Sequence, residues 1–201
     1  MYQTEEFTSR TTVEDYLSNY ANGERFLEYC EKFTGCGHIW SCPLYDFDPA
    51  EYEKKYKYFY IIGKRITFDQ PDEGKGKSYM TRKEREQREK DRHEREKYMN
   101  QVCLREKDIL SETIYELEKK YPGSIGLPAG SCRMCRQCSK PQEKGCRYSE
   151  EIRYFLESLG ADVNGTAGDL LGMELRWMKD RMPKDFTLIN GFLTDSAKVE
   201  I

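Results

Sequence analysis

The sequence has little apolar material for its length and no long hydrophobic run. Of its 201 residues, 37% are hydrophobic and 34% are charged, which is a thin supply for a packed core. The longest apolar run, from Tyr58 to Ile62, is far shorter than the roughly 18 residues of a membrane span. The first residues, MYQTEEF, are acidic and lack the basic and apolar regions of a signal peptide. We therefore expect a cytoplasmic protein with no membrane span.

Several familiar catalytic patterns are also missing. The sequence contains no Ser/His/Asp set and no His-rich metal motif, and its only two histidines are His38 and His93. The segment GKGKS, which begins at Gly74, has too few glycines and the wrong spacing for a phosphate-binding loop. The sequence therefore predicts no particular reaction, and whether the chain is an enzyme stays open at this point.

Cysteine is abundant, and the downstream group of cysteines is the strongest signal in the chain. Its spacing is C-x2-C-x2-C-x7-C, formed by Cys132, Cys135, Cys138 and Cys146. Three thiols at this spacing can occupy three corners of a 4Fe-4S cubane, and bacterial iron–sulfur proteins begin their ligand run in the same way. Zinc is the alternative, although zinc sites usually pair two C-x2-4-C knuckles. In the reducing cytosol, clustered cysteines are more often metal ligands than disulfides.

The upstream group is Cys30-x5-Cys36-x5-Cys42, and Pro43 follows the last thiol. A cysteine followed by proline also closes bacterial ferredoxin runs, where that cysteine binds the other cluster. We therefore predict a second metal centre close to the first. Either Cys103 or another group supplies its fourth ligand, or one iron stays open to solvent or substrate. A lone helical cysteine such as Cys103 is more often a small buried hydrophobe.

Periodicity and turn residues divide the rest of the chain into elements. The predicted elements are helical segments over Thr12–Phe33, a strand over Tyr56–Phe68, a long charged helix at about 81–121, a short strand over Ser124–Ala129, a helix from Ser149 to Gly160, a Gly165–Gly168 turn before a helix to Trp177, and a strand over Phe186–Leu193. This order predicts an α+β fold with a small, mainly antiparallel sheet covered by helices, in which the strands from Tyr56 and Ser124 pair. We expect one metal-binding domain over 1–201, with cysteine-rich loops at 30–43 and 130–147.

The long helix is the most charged part of the sequence. Twelve Lys or Arg and seven Asp or Glu lie between Lys75 and Lys107, so this segment carries +5 and the remainder −8. Positive and negative residues interleave at i,i+4 spacing, which favours a solvated helix over a nucleic-acid surface. Nucleic acid is therefore an unlikely partner.

Two stretches of the sequence together resemble a known family. CGHIWSCP, from Cys36 to Pro43, is followed about ninety residues later by AGSCRMCRQCSKPQEKGCRYSEEIRYFLESLGADV. This pair is similar to the predicted metal-binding proteins of anaerobic prokaryotes called the domain-of-unknown-function 2284 family. Leu44 and Ser149 stand where that family usually has prolines, and none of the six matching cysteines is lost. The resemblance implies a bound metal but no reaction.

These observations lead to one functional expectation and one alternative. The expectation is an iron–sulfur protein, with one or two 4Fe-4S clusters, that transfers electrons or carries out cluster-based redox chemistry with a redox partner protein. The alternative is a zinc-stabilised module that binds another protein.

Overall fold

The computed structural model of the chain describes residues 1–21, 36–42, 45–69, 81–175 and 185–201. Its four strands are β1 (Tyr2–Thr12), β2 (Tyr58–Phe68), β3 (Ile125–Leu127) and β4 (Asp185–Thr194). Its helices are α1 (Val13–Tyr20), α2 (Pro49–Glu53), α3 (Arg82–Lys120) and α4 (Val163–Leu171). Short 3-10 helices lie at Lys140–Gln142, Ser149–Glu151 and Leu156–Leu159. All strand pairs are antiparallel, in the order β1-β2-β4-β3, so the predicted α+β fold is confirmed.

The sheet is covered on both faces because the strand period of two sends alternate side chains to opposite sides. On β2, Tyr60, Ile62 and Ile66 belong to a buried cluster with the second half of α3. Phe59 and Ile61 belong to the cluster on the other face, together with residues of α1 and α4. This arrangement explains how a sequence poor in apolar residues still builds a packed layer.

The long helix begins and ends where the sequence predicts. The Thr81 hydroxyl accepts a hydrogen bond from the Glu84 N–H at 3.3 Å, and the Glu84 carboxylate accepts one from the Thr81 N–H at 2.7 Å. This capping box satisfies backbone donors that the first turn leaves without partners. The first half of α3 is almost entirely exposed, and burial begins at Met99. No described helix is both long and apolar enough to cross a membrane.

The N-terminal strand β1 has no counterpart among the predicted elements. Its side chains are mostly polar and exposed, because it is an edge strand whose contribution is the ladder to β2. α1 begins after Thr12, whose hydroxyl caps it by accepting a hydrogen bond from the Asp15 N–H at 3.1 Å. It ends at Tyr20, and residues 22–33 of the predicted helical segment lie outside the described residues.

Three further predictions were wrong in detail. β2 and β3 do not pair with each other, because β4 lies between them and pairs with both. The predicted helix from Ser149 is two 3-10 helices around an extended stretch, although Gly160 does end the second at φ +92°. The extended stretch lets Arg153 and Tyr154 reach distant partners, which a continuous helix would prevent. Residues 163–171 are helical rather than a turn, since the Asp162 carboxylate accepts from the Gly165 N–H at 3.0 Å and caps α4.

Candidate metal centre

All four cysteines of the downstream group line one pocket of about 350 Å³. The four thiols are partly exposed, and no disulfide joins any of the seven cysteines within the described ranges. The remaining lining residues are Ile39, Trp40, Ser41, Asp108, Ser131, Arg133, Met134, Arg136, Tyr148 and Ile152. The pocket therefore combines soft sulfur ligands, cations and apolar side chains.

The cysteine loop is fixed at its start by a buried amide of the sheet. Asn190, on β4, is fully buried, and its side-chain oxygen accepts from the Ala129 N–H at 2.7 Å. The side-chain nitrogen of Asn190 donates to the Leu110 carbonyl of α3 at 3.0 Å. Gly130 then turns the chain at φ +77°, a conformation that glycine adopts without a steric penalty. One side chain thus joins β4, α3 and the beginning of the loop.

The segment after the loop is fixed by a two-pronged ion pair. The Arg153 guanidinium donates to both Glu118 carboxylate oxygens at 2.7 Å, with each side chain at most 16% exposed. The same carboxylate accepts from the Gly126 N–H of β3 at 2.6 Å. Paired guanidinium–carboxylate hydrogen bonds are among the strongest and most directional in proteins. Glu118 therefore holds the start of β3 and the chain after the loop on the same helix.

Within the loop, two hydrogen bonds bring its third and fourth cysteines towards each other. The Ser139 hydroxyl, which is buried, donates to the Gly145 carbonyl at 2.7 Å. The Arg147 guanidinium donates to the Gln137 carbonyl at 2.8 Å. A 3-10 helix closes the bend, and Glu143 ends it in the left-handed region at φ 56°. The long x7 spacing between Cys138 and Cys146 is thus folded into a compact turn.

The upstream cysteine segment packs directly against this loop. The Trp40 backbone N–H donates to the Cys138 sulfur at 3.5 Å, and its indole N–H donates to the Lys144 carbonyl at 3.1 Å. The Cys132 N–H donates to the Ser41 hydroxyl at 3.3 Å. The Lys140 ammonium lies over the Trp40 ring, 5.2 Å from its centroid. Residues 36–42 and the downstream loop therefore form one surface.

The electrostatic surroundings of the pocket combine cations with half-buried phenols. Arg133 forms an ion pair with Asp108 of α3. Burial raises the pKa of Tyr115 to about 12, and its electrostatic interaction with Cys132 adds to the increase. Burial also raises the pKa of Tyr154, with the charges of Asp46 and Cys146 as further causes. Both phenols thus stay protonated at neutral pH, so neither adds negative charge beside the thiols.

The other predicted ligands are not gathered in the same way. Cys30 lies outside the described residues. Cys36 is partly exposed and Cys42 is 4% exposed, and neither lines the pocket. Cys103 packs beside the apolar face of α3, where burial raises its pKa to about 11, as expected of a small core residue. Across the ranges that the structure describes, no three Cys, His, Asp or Glu side chains stand close enough to hold a single metal ion.

Sequence reasoning missed the residues that position the loop. Trp40 and Ser41 stand directly before Cys42, inside the motif already noted, so their role could have been suspected. Asn190 is a polar residue in an otherwise apolar strand, FTLINGFL, and that mismatch is also readable in the sequence. The Glu118–Arg153 pair carries no such signal, because a helical Glu and a distant Arg are common at any surface.

Comparison with known proteins gives one match. The model of a family described as predicted metal-binding protein (DUF2284) matches residues 18–192, a range that contains all eight cysteines. No curated protein and no solved structure matches the chain.

Proposed function

Because the chain belongs to this family of predicted metal-binding proteins, we propose that it holds an iron–sulfur cluster of the 4Fe-4S type. The thiolates of Cys132, Cys135, Cys138 and Cys146 are its four ligands. The observation that supports this assignment is that all four side chains line one pocket. Four thiolates match the one-per-iron requirement of a cubane.

The shape of the pocket favours a cluster over a zinc ion. A structural zinc ion needs four ligands at about 2.3 Å from one point. Here the four thiols are among the residues that line a space of about 350 Å³, and they do not converge on one point. A polynuclear group spans separated thiolates better than a single ion does. The N–H of Trp40 that points at the Cys138 sulfur adds a second argument. Hydrogen bonds to cluster sulfurs are a principal means by which proteins tune the reduction potential.

The proposed role is electron transfer. A bound cluster would supply a site that takes up and releases one electron. The chain would hold the thiolates on a fixed loop and place cations around the added negative charge. Arg136 lines the pocket, and Arg133 and Lys140 lie on the same loop. Positive charge close to a cluster stabilises its more negative, reduced form.

The upstream cysteines form the second part of the proposal. Cys36 and Cys42 belong to a segment that contacts the downstream loop through Trp40 and Ser41. With Cys30 they would provide three thiolates for a second cluster close to the first. In that case one iron has either another ligand or an open position, and the Cys103 environment argues against Cys103.

Anaerobic purification followed by iron and sulfide quantitation and electron paramagnetic resonance tests this proposal. One cluster gives about four irons and four sulfides per chain, and two clusters give about eight. The Cys36→Ala/Cys42→Ala variant should halve the larger number, while Cys103→Ala, the matched control, should leave it unchanged. A colourless protein with about one zinc per chain would contradict the proposal and support the zinc-stabilised module instead.

A further inference from the structure

The mouth of the cysteine pocket is a surface of exposed aromatic and cationic side chains. Trp40 is 36% exposed and Tyr148 is 41% exposed, and both line the pocket. Tryptophan, tyrosine and arginine are the residues most enriched among those that dominate protein–protein binding energy. Here Trp40, Tyr148 and Arg136 line the same pocket as the four cysteines.

The charge of this region is opposite to that of the whole chain. Between Ser131 and Tyr148 there are five Lys or Arg and one Glu, a net +4, whereas the chain carries −3. Arg136, Lys144 and Arg147 are exposed. Within the described residues neither Arg136 nor Lys144 forms an ion pair, so their charge is available to a partner.

We infer that this surface docks an acidic protein that carries one electron. This inference rests on the proposed function, because it names the partner with which an electron-transfer centre would exchange an electron. A cationic rim attracts and orients an acidic surface during diffusional encounter. Trp40 and Tyr148, which line the same pocket as the thiols, would provide the apolar contact of the interface.

Nucleic acid fits this surface less well. Proteins that bind the phosphate backbone commonly neutralise about 6–10 phosphates. The segment from Ser131 to Tyr148 offers three exposed cations, and Asp108 places a carboxylate in the pocket lining. A compact basic patch around an aromatic centre matches the size of a protein contact better.

The experiment measures binding of the anaerobically purified protein to two immobilised one-electron carriers. The probes are an acidic plant-type ferredoxin and a basic cytochrome c. We expect binding to ferredoxin that weakens as ionic strength rises, and weaker binding to cytochrome c. The Arg136→Glu/Lys144→Glu/Arg147→Glu variant should lose about tenfold or more in affinity for ferredoxin.

The matched control makes the same charge change on the exposed half of α3. The Lys83→Glu/Lys90→Glu/Lys97→Glu variant should retain ferredoxin affinity within about twofold, because its charges lie away from the pocket. Equal losses of ferredoxin affinity in both variants would overturn the inference, and so would no loss in either. Tighter binding to a single-stranded oligonucleotide than to ferredoxin would also overturn it.

Iron content, measured on the same samples, separates this inference from the proposed function. Intact iron with lost ferredoxin binding in the pocket variant supports both. Absent iron in the unmodified protein, with salt-dependent ferredoxin binding retained, would refute the cluster and leave the docking surface standing. If the triple variant loses its metal, the single variant Lys144→Glu tests the inference instead, since Lys144 is outside the pocket lining. Unchanged ferredoxin affinity in that single variant would overturn the inference.

Discussion

The central strand β2 and the cysteine loop are held in place by different forces. Eight of the eleven residues of β2 are buried, whereas Ser139 is the only buried residue from Cys132 to Cys146. Apolar burial, at roughly 25 cal/mol per Å², holds the sheet, and the loop gains almost nothing from it. Hydrogen bonds to backbone carbonyls and exposed ion pairs hold the loop, and each contributes little. We therefore expect a group bound between the thiols to make the loop more rigid.

The Cys135→Ser substitution tests that dependence and should have the largest effect. Removing one ligand should abolish cluster binding, and metal binding is a large part of the folding energy in small metal sites. We expect loss of iron together with a lower midpoint of thermal unfolding, measured by circular dichroism on anaerobic samples. Met134→Leu, between two of the ligands, is the matched control and should keep both. Loss of iron with an unchanged midpoint would mean that the sheet and helices fold independently of the loop.

The buried ion pair of the sheet should show the opposite pattern, with lower stability and unchanged iron. Lys64, which is 4% exposed on β2, contacts the Glu106 carboxylate of α3 at 3.3 Å and that of Glu6 at 2.8 Å. Lys64→Met leaves Glu106 buried without its cation, and breaking such pairs typically costs about 3–5 kcal/mol. Chemical denaturation should show this loss with iron content unchanged.

The double variant Lys64→Met/Glu106→Leu is the control for that experiment. Replacing both charges with apolar side chains removes the unpaired charge, so most of the lost stability should return. A double variant as unstable as the single one would show that the pair contributes through packing rather than charge.

A buried carboxyl of α2 predicts how stability depends on pH. Glu53, on α2, is 1% exposed, and burial raises its pKa to about 8, with the charge of Asp48 as a smaller cause. The native state therefore keeps a proton that the unfolded state releases above about pH 4.5, so stability falls as pH rises. The slope is about 1.4 kcal/mol per pH unit until about pH 8.

Glu53→Gln removes this titration. We expect the free energy of unfolding of the variant to increase relative to that of the unmodified protein as pH rises from 5 to 8. Urea unfolding curves recorded at each pH measure this difference. Asp48→Asn would lower the Glu53 pKa only slightly, and it serves as the comparison. A stability difference between Glu53→Gln and the unmodified protein that does not change with pH would contradict the raised pKa.

The sequence predicts the regular elements better than the contacts between them. The long helix was predicted to within a residue because its cap, Thr81 with Glu84, and its stop, Pro122-Gly123, are local signals. The order of the strands was not predicted. Placing β4 between β2 and β3 depends on packing between residues more than sixty positions apart. The 3-10 helices after Ser149 were missed for the same reason, since the Arg153 contact with Glu118 overrides local helix propensity.

The cysteine pocket shows the same difference between features that local sequence predicts and features that depend on distant contacts. Spacing alone indicated that Cys132, Cys135, Cys138 and Cys146 belong together, and they line one pocket. The proximity of the upstream segment could only be guessed, because it depends on contacts of Trp40 with the loop across about a hundred residues. The role of the four downstream cysteines as metal ligands stays a prediction.

The amide that links the two regions provides the smallest and most specific test. Asn190→Ala removes the acceptor of the Ala129 N–H and the donor to the Leu110 carbonyl, both at buried positions. Leaving such a group unsatisfied costs about 1–3 kcal/mol for each group, and Asn190→Ala leaves no unpaired charge, unlike Lys64→Met. Because the same bonds fix the start of the cysteine loop, we also expect iron to be lost faster to a chelator. Ser111→Ala is the matched control, since among the described residues the buried Ser111 hydroxyl bonds only to the Lys107 carbonyl of its own helix. If chelation is equally fast in both variants and in the unmodified protein, Asn190 stabilises the sheet layer alone and does not hold the loop.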